Sequence, residues 1–109
     1  MSPKKTKQLV KAFPLLFKDY TTGFAYSDGW FKLTWDLSKK LEAYIQKLLV
    51  EHGSIIGDNH PRAIQCKEKL GGLRFYLTHE GPKDWSDRER VVTAIREAEE
   101  LAEKTCEFC

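Results

Sequence analysis

A chain of 109 residues with 41% hydrophobic and 31% charged residues suits one domain with a modest core; it is too short for two and too apolar to stay disordered. The net charge of +2 is unevenly spread: residues 1–53 carry nine Lys/Arg against five Asp/Glu, and residues 81–109 carry five against eight, so a mildly basic front precedes an acidic back. Apolar runs such as FPLLF fall far short of the roughly 18 residues of a membrane span, and MSPKKTKQL holds no apolar signal core, which predicts no membrane partner and a cytoplasmic address in a cell or an infected host.

The stretch KTKQLVKAFPLLFKDY sets Leu9, Val10, Phe13, Leu16 and Phe17 at helical spacing. Pro14 removes an amide and clashes with the preceding turn, so a broken helix is expected. Residues 1–7 are expected to be flexible. TTGFAYSDG reads as a loop, with Phe24 and Tyr26 as anchors on the core.

The strongest helical signal follows. Ser27 or Asp28 can accept the unpaired amides of a first turn, and Trp30, Leu33, Leu37, Leu41, Tyr44 and Leu48 recur every three or four residues. Gly53 suits the left-handed position that ends a helix. This segment is the expected main core helix, and Trp35 lies off its apolar stripe.

RAIQCKEKLGGLRFYLTH reads as a β-hairpin. Alternation puts Ile64 and Cys66 on one face of the first strand and Leu73, Phe75 and Leu77 on one face of the second, with Gly71 and Gly72 at the reversal. Gln65, Lys67, Arg74, Tyr76 and Thr78 fall on the other face. Beyond it, Ser86 and Glu89 have capping-box spacing, and Val91, Ile95, Ala98 and Leu101 or Ala102 mark the buried side of a helix running to about Lys104. The fold class is therefore α+β: two main helices and a short N-terminal helix packed on a small antiparallel hairpin or sheet.

Three cysteines are an odd number for a disulfide framework in a chain without a secretory signal. Cys106 and Cys109, in the closing TCEFC, have the spacing of half a zinc knuckle. Cys66, His52, His60, His79 or a second chain are the candidates to complete it. Zinc at Cys106, Cys109 and Cys66, or no cofactor with residues 105–109 frayed, are the alternatives.

No nucleophile–base set stands out, and the two glycines of EKLGGLR join strands instead of opening a helix as a phosphate loop does. An enzyme is not expected. Binding is the better prospect: Lys67 and Arg74, with Lys69, surround Tyr76 on the outer hairpin face, a mixture suited to an acidic peptide or to nucleic acid. Trp35 either packs under the first helix or adds to a partner surface.

DGWFKLTWDLSKKLE, IQCKEKLGGLRFY and IREAEELAEKTCEFC together resemble a family of small uncharacterised proteins of tailed phages, prophages and bacterial genomes. Its pattern is an Asp-Gly-Trp helix start, a Lys-Glu-Lys-aromatic-Gly-x-Leu-Arg-Phe-Tyr hairpin and a closing Thr-Cys-Glu-x-Cys. The resemblance spans about Phe13 to Cys109, with Cys66 and Leu70 standing where valine and phenylalanine are usual. It implies the same helix–hairpin–helix order, and members often continue into a further cysteine-containing segment that completes a zinc site. By analogy it also implies a phage accessory protein that binds and blocks a host or antiviral-defence protein, an anti-CRISPR-like role included. The alternative is a small zinc-dependent nucleic-acid-binding module.

Overall fold

The computed structural model describes residues 1–108, in the order helix α1 (Pro3–Ala12), strand β1 (Phe24–Ala25), a 3₁₀ turn (Asp28–Trp30), helix α2 (Phe31–Ile56), strands β2 (Ala63–Lys69) and β3 (Gly72–Leu77), and helix α3 (Arg88–Glu103). The α+β class expected from the sequence holds, with one more strand than the hairpin provides.

In place of a loose start, residues 3–12 are helical. The Ser2 hydroxyl accepts the Lys5 amide at 3.3 Å, and Pro3 opens the first turn, where its missing donor is not needed. The helix stops at Ala12 because Pro14 disfavours helical geometry at Phe13, which sits at φ −126°, ψ 69°. The turns beyond the break are held from inside the protein: the buried Glu42 carboxylate accepts the amides of Leu15 (3.2 Å) and Leu16 (2.8 Å). His60, also buried, bonds the Leu15 carbonyl through Nε2 at 2.8 Å.

At about 1.5 Å per residue, α2 is about 39 Å long, close to the 42 Å longest dimension of the molecule. Its buried stripe is Leu33, Leu37, Leu41, Ile45 and Leu48, with Thr34, Ser38 and Glu42 beside it. Tyr44 is half-buried, and Trp30 belongs to the 3₁₀ turn before the helix. The helix passes through Gly53, the expected stop, and ends before Gly57 at φ 55°. A glycine inside a helix costs only about 1 kcal/mol relative to alanine, so Gly53 does not end one that Ser54, Ile55 and Ile56 continue.

The sheet has the order β1-β2-β3, with β1 parallel and β3 antiparallel to β2. Cys66 faces Phe75, and Lys67 faces Arg74. Two details depart from simple alternation. A register shift between Ala63 and Gln65 turns Ala63, instead of Ile64, inward, leaving Ile64 48% exposed. The reversal is made by Leu70 and Gly71 at φ 54° and 82°, because Gly72 already pairs with Lys69. Two consecutive positive φ values define the hairpin turn whose twist matches the strands; the exposed Leu70 takes one of them.

Phe17, Phe24, Phe75 and Leu73 fill the inner face, with Phe17 edge-on to Phe24 at 5.5 Å between ring centres. On α3, Val91, Ala94, Ala98 and Ala102 are buried, while Leu101 is exposed. Asp87, not Ser86, is the buried residue at the helix start, and no side chain caps the first turn. Burial pushes the Asp87 carboxyl up, but Arg90 at 2.7 Å and Lys47 at 3.1 Å outweigh it and hold the group below its usual range. The Lys47 pair joins α2 to the start of α3.

The segment 105–108, expected as a frayed or metal-tethered end, docks on the 3₁₀ turn. Trp30 Nε1 donates to the Thr105 carbonyl (2.9 Å), the Gly29 amide to the Glu107 carbonyl (2.6 Å), and the Ser27 amide to the Glu107 carboxylate (3.0 Å). A Cβ at Gly29 would lie 2.2 Å from the Cys106 carbonyl oxygen, so only glycine admits this approach.

Candidate functional site

The Pro14 break ends α1 where it crosses the first turns of α2, and an open groove of about 760 Å³ lies between the two helices. Gln8, Lys11 and Ala12 form the α1 wall; Phe31, Lys32, Trp35 and Asp36 come from α2. Phe31 and Trp35 are one helical turn apart and so share a face. Their rings are 5.9 Å apart, and Phe13 meets Trp35 edge-on at 4.8 Å from behind. Trp35 is thus half-buried on one side and open to the groove on the other.

The α1 rim is cationic. Helix α1 carries Lys4, Lys5, Lys7 and Lys11 and no acidic residue. Lys5 lies 5.4 Å from the centre of the Phe31 ring and pairs with Asp28 at 3.4 Å. The Ser2 amide holds the exposed Asp28 carboxyl below its usual range, with Lys5 adding to the effect. Lys32 pairs with Asp36 at 2.9 Å on the other wall. An aromatic floor with charged edges excludes water from a docked apolar side chain while fixing the charge of what surrounds it.

The hairpin residues singled out from the sequence form a second, separate surface. Lys67 and Arg74 are cross-strand neighbours, and the Lys67 ammonium stands 5.8 Å from the centre of the Tyr76 ring. These three therefore share a face, as alternation predicts. Arg74 folds back to its neighbour, donating to the Leu73 carbonyl at 3.1 Å. Tyr76 is the single aromatic side chain of this trio, 40% exposed, whereas the Trp35 groove sets two half-buried rings side by side. Tyr76 also lines a narrower groove against α3, where the Glu99 carboxylate takes up the Phe75 amide at the strand edge.

The two described cysteines, Cys66 and Cys106, differ in placement. Cys66 is 1% exposed on the inner sheet face, and its amide donates to the Tyr20 hydroxyl at 3.1 Å. Burial pushes its thiol up to about 12, and the Tyr20 hydrogen bond offsets only part of this. Burial raises the Tyr20 and Tyr26 hydroxyls as well, so all three groups are protonated at neutral pH, and Cys66 packs as a small core side chain. Cys106 is exposed on the docked tail, and Cys109 lies outside the described residues. His79 uses both ring nitrogens, Nδ1 accepting the Gly81 amide and Nε2 bonded to the Asn59 carbonyl. Among the described residues, no three His, Cys, Asp or Glu side chains gather as metal ligands.

Beneath the groove, Tyr26, Trp30 and Thr34 link the core to the start of α2. The Thr34 hydroxyl gives its one proton to the Trp30 carbonyl at 2.7 Å and therefore accepts from Tyr26 at 2.7 Å. Sequence spacing singled out Trp35 but not its neighbours. Phe31, four residues before it, is the signal that was available; Lys11 enters only because the chain break sets α1 across α2.

No helix among the described residues is long and apolar enough to cross a membrane. Comparison with family models, curated proteins and solved structures found no match.

Proposed function

We propose that this is a non-enzymatic binding protein that engages a partner protein through the Trp35 groove. The observation carrying this reading is an aromatic pair, Phe31 and Trp35, open along a groove of about 760 Å³ with lysines on both walls. Interface hot spots are enriched in tryptophan set in pockets whose surroundings exclude water. The sequence resemblance supplies the setting: a phage-type accessory protein in the bacterial cytoplasm that binds and inhibits a host or antiviral-defence protein.

Capture from host lysate tests it. A stoichiometric protein partner is expected, lost with Trp35→Ala and with the exposed-site variant Lys32→Glu, and retained with Tyr76→Ala. Circular dichroism confirms that each variant is folded. Retention of the partner by both groove variants, or its loss with Tyr76→Ala alone, moves the binding surface to the hairpin and overturns the proposal.

A further inference from the structure

Resting on that reading, we infer that the occupant of the Trp35 groove is an acidic amphipathic helix of the partner, seating bulky apolar side chains on Phe31 and Trp35 and carboxylates against the lysines of α1. Three features of the groove lead there.

Its walls are two helices, α1 and α2. The trough between two packed helices accepts the side-chain ridge of a third, which presents apolar residues at positions i, i+4 and i+7. Phe31 and Trp35 repeat at the same four-residue spacing, with rings 5.9 Å apart, and so receive two successive side chains of such a ridge.

The charge on the α1 wall is of one sign. Lys4, Gln8 and Lys11 lie on one stripe of that helix, at i, i+4 and i+7. Gln8 and Lys11 line the groove, and Lys4 is exposed one turn further along the same stripe. The two lysines are about 10 Å apart along the axis, the spacing of carboxylates seven residues apart on an opposing helix. A charge pattern of this kind selects partners and speeds their encounter more than it adds affinity.

The opposite wall adds no net positive charge. Asp36 lines the groove paired with Lys32 at 2.9 Å, so the unpaired cations that a phosphate backbone would need on both sides are confined to α1. A helix that turns an apolar ridge to the floor and acids only toward α1 matches that one-sided charge.

Fluorescence anisotropy with labelled synthetic peptides tests the inference on the intact chain. The probe is a helix-favouring peptide of about 15 residues with leucines at i, i+4 and i+7 and glutamates along one flank. The comparison probes are the same peptide with lysine for glutamate, the same peptide with serine for leucine, and a single-stranded oligonucleotide. The acidic apolar peptide is expected to bind at least tenfold more tightly than the other three. Binding should weaken severalfold as salt rises from about 50 to about 200 mM, because rim charges are screened. The exposed-site double variant Lys4→Glu with Lys11→Glu should lose about tenfold affinity for the acidic peptide and gain affinity for the basic one, a reversal that unfolding does not produce.

Equal binding of the acidic and basic peptides, tighter binding of the oligonucleotide, undiminished binding by Trp35→Ala, or no binding of the acidic peptide each overturns the inference. If one of these is seen while lysate capture stays dependent on Trp35, the partner-binding reading stands and only the acidic helix falls. If capture is independent of Trp35 as well, both fall.

Discussion

Replacing Gly29 with alanine should cost far more than one methyl group usually does. The added Cβ would lie 2.2 Å from the Cys106 carbonyl oxygen and 2.4 Å from the Glu107 carbonyl carbon and oxygen. These are backbone atoms, so relief requires the 105–108 segment to leave the 3₁₀ turn. Departure breaks three hydrogen bonds, from the Gly29 amide, the Ser27 amide and Trp30 Nε1. At about 0.5–1.5 kcal/mol net for each bond, with the nearly buried indole at the upper end, the loss is about 2.5–4.5 kcal/mol. In a domain of this size it lowers Tm by about 10–20 °C. Gly53→Ala is the control: the residue is inside α2, where an added methyl would meet nothing within 4 Å, and alanine should raise stability by about 0.5–1 kcal/mol. Thermal melts followed by circular dichroism read both effects. A double-mutant cycle adds the discriminating arm, because deleting residues 105–109 removes the clash and Gly29→Ala should then be neutral within about 0.5 kcal/mol. A Gly29→Ala chain as stable as the parent, or an equal loss with and without the tail, refutes the docking of the tail on this turn.

Other expectations follow from buried groups. Glu42→Ala leaves the Leu15 and Leu16 amides without their acceptor and should cost about 2–5 kcal/mol in urea unfolding, whereas Glu42→Gln keeps one acceptor oxygen and should cost less than half as much. The Asp87 carboxyl is depressed in the folded protein, so its contribution is complete above its unfolded value of about 3.9 and fades as pH falls through the folded one. Asp87→Asn should therefore lower stability at pH 7 and flatten the acid-side decline below about pH 4; a decline of unchanged steepness contradicts the Lys47–Asp87–Arg90 arrangement. In a chain with Cys106→Ser and Cys109→Ser, the remaining thiol, Cys66, should react with a thiol reagent about a thousandfold more slowly than in urea, because its pKa rises from 9.0 to about 12 and the sulfur is buried. Rapid labelling of the folded protein would place Cys66 outside the core.

Periodicity carried the α+β class, the main helix and the inner faces of β3 and α3, because long helices and paired strands write their burial into the spacing of apolar residues. What it could not carry was set by long-range packing. A two-residue strand such as Phe24–Ala25 is too short for any period to register. The shift at Ile64 and the Leu70–Gly71 turn depend on strand pairing, and either of two adjacent glycines can make a reversal. Ser86 with Glu89 matched a capping box, but the ion pairs of Asp87 to Lys47 and Arg90 set the start of α3. At the candidate site, Trp35 stood out by lying off the apolar stripe, and Lys67, Arg74 and Tyr76 were placed on one face by alternation alone. The groove itself was illegible, because it forms where two segments separated by a proline break cross.

The most direct test of the central claim is a map of amide and indole shifts in an NMR titration of the intact protein with the acidic apolar peptide. Perturbations confined to Gln8, Lys11, Phe31, Lys32 and the Trp35 indole, with Lys67, Arg74 and Tyr76 unmoved, are the predicted result. Perturbations centred on the hairpin face, or none at the Trp35 indole, would contradict it.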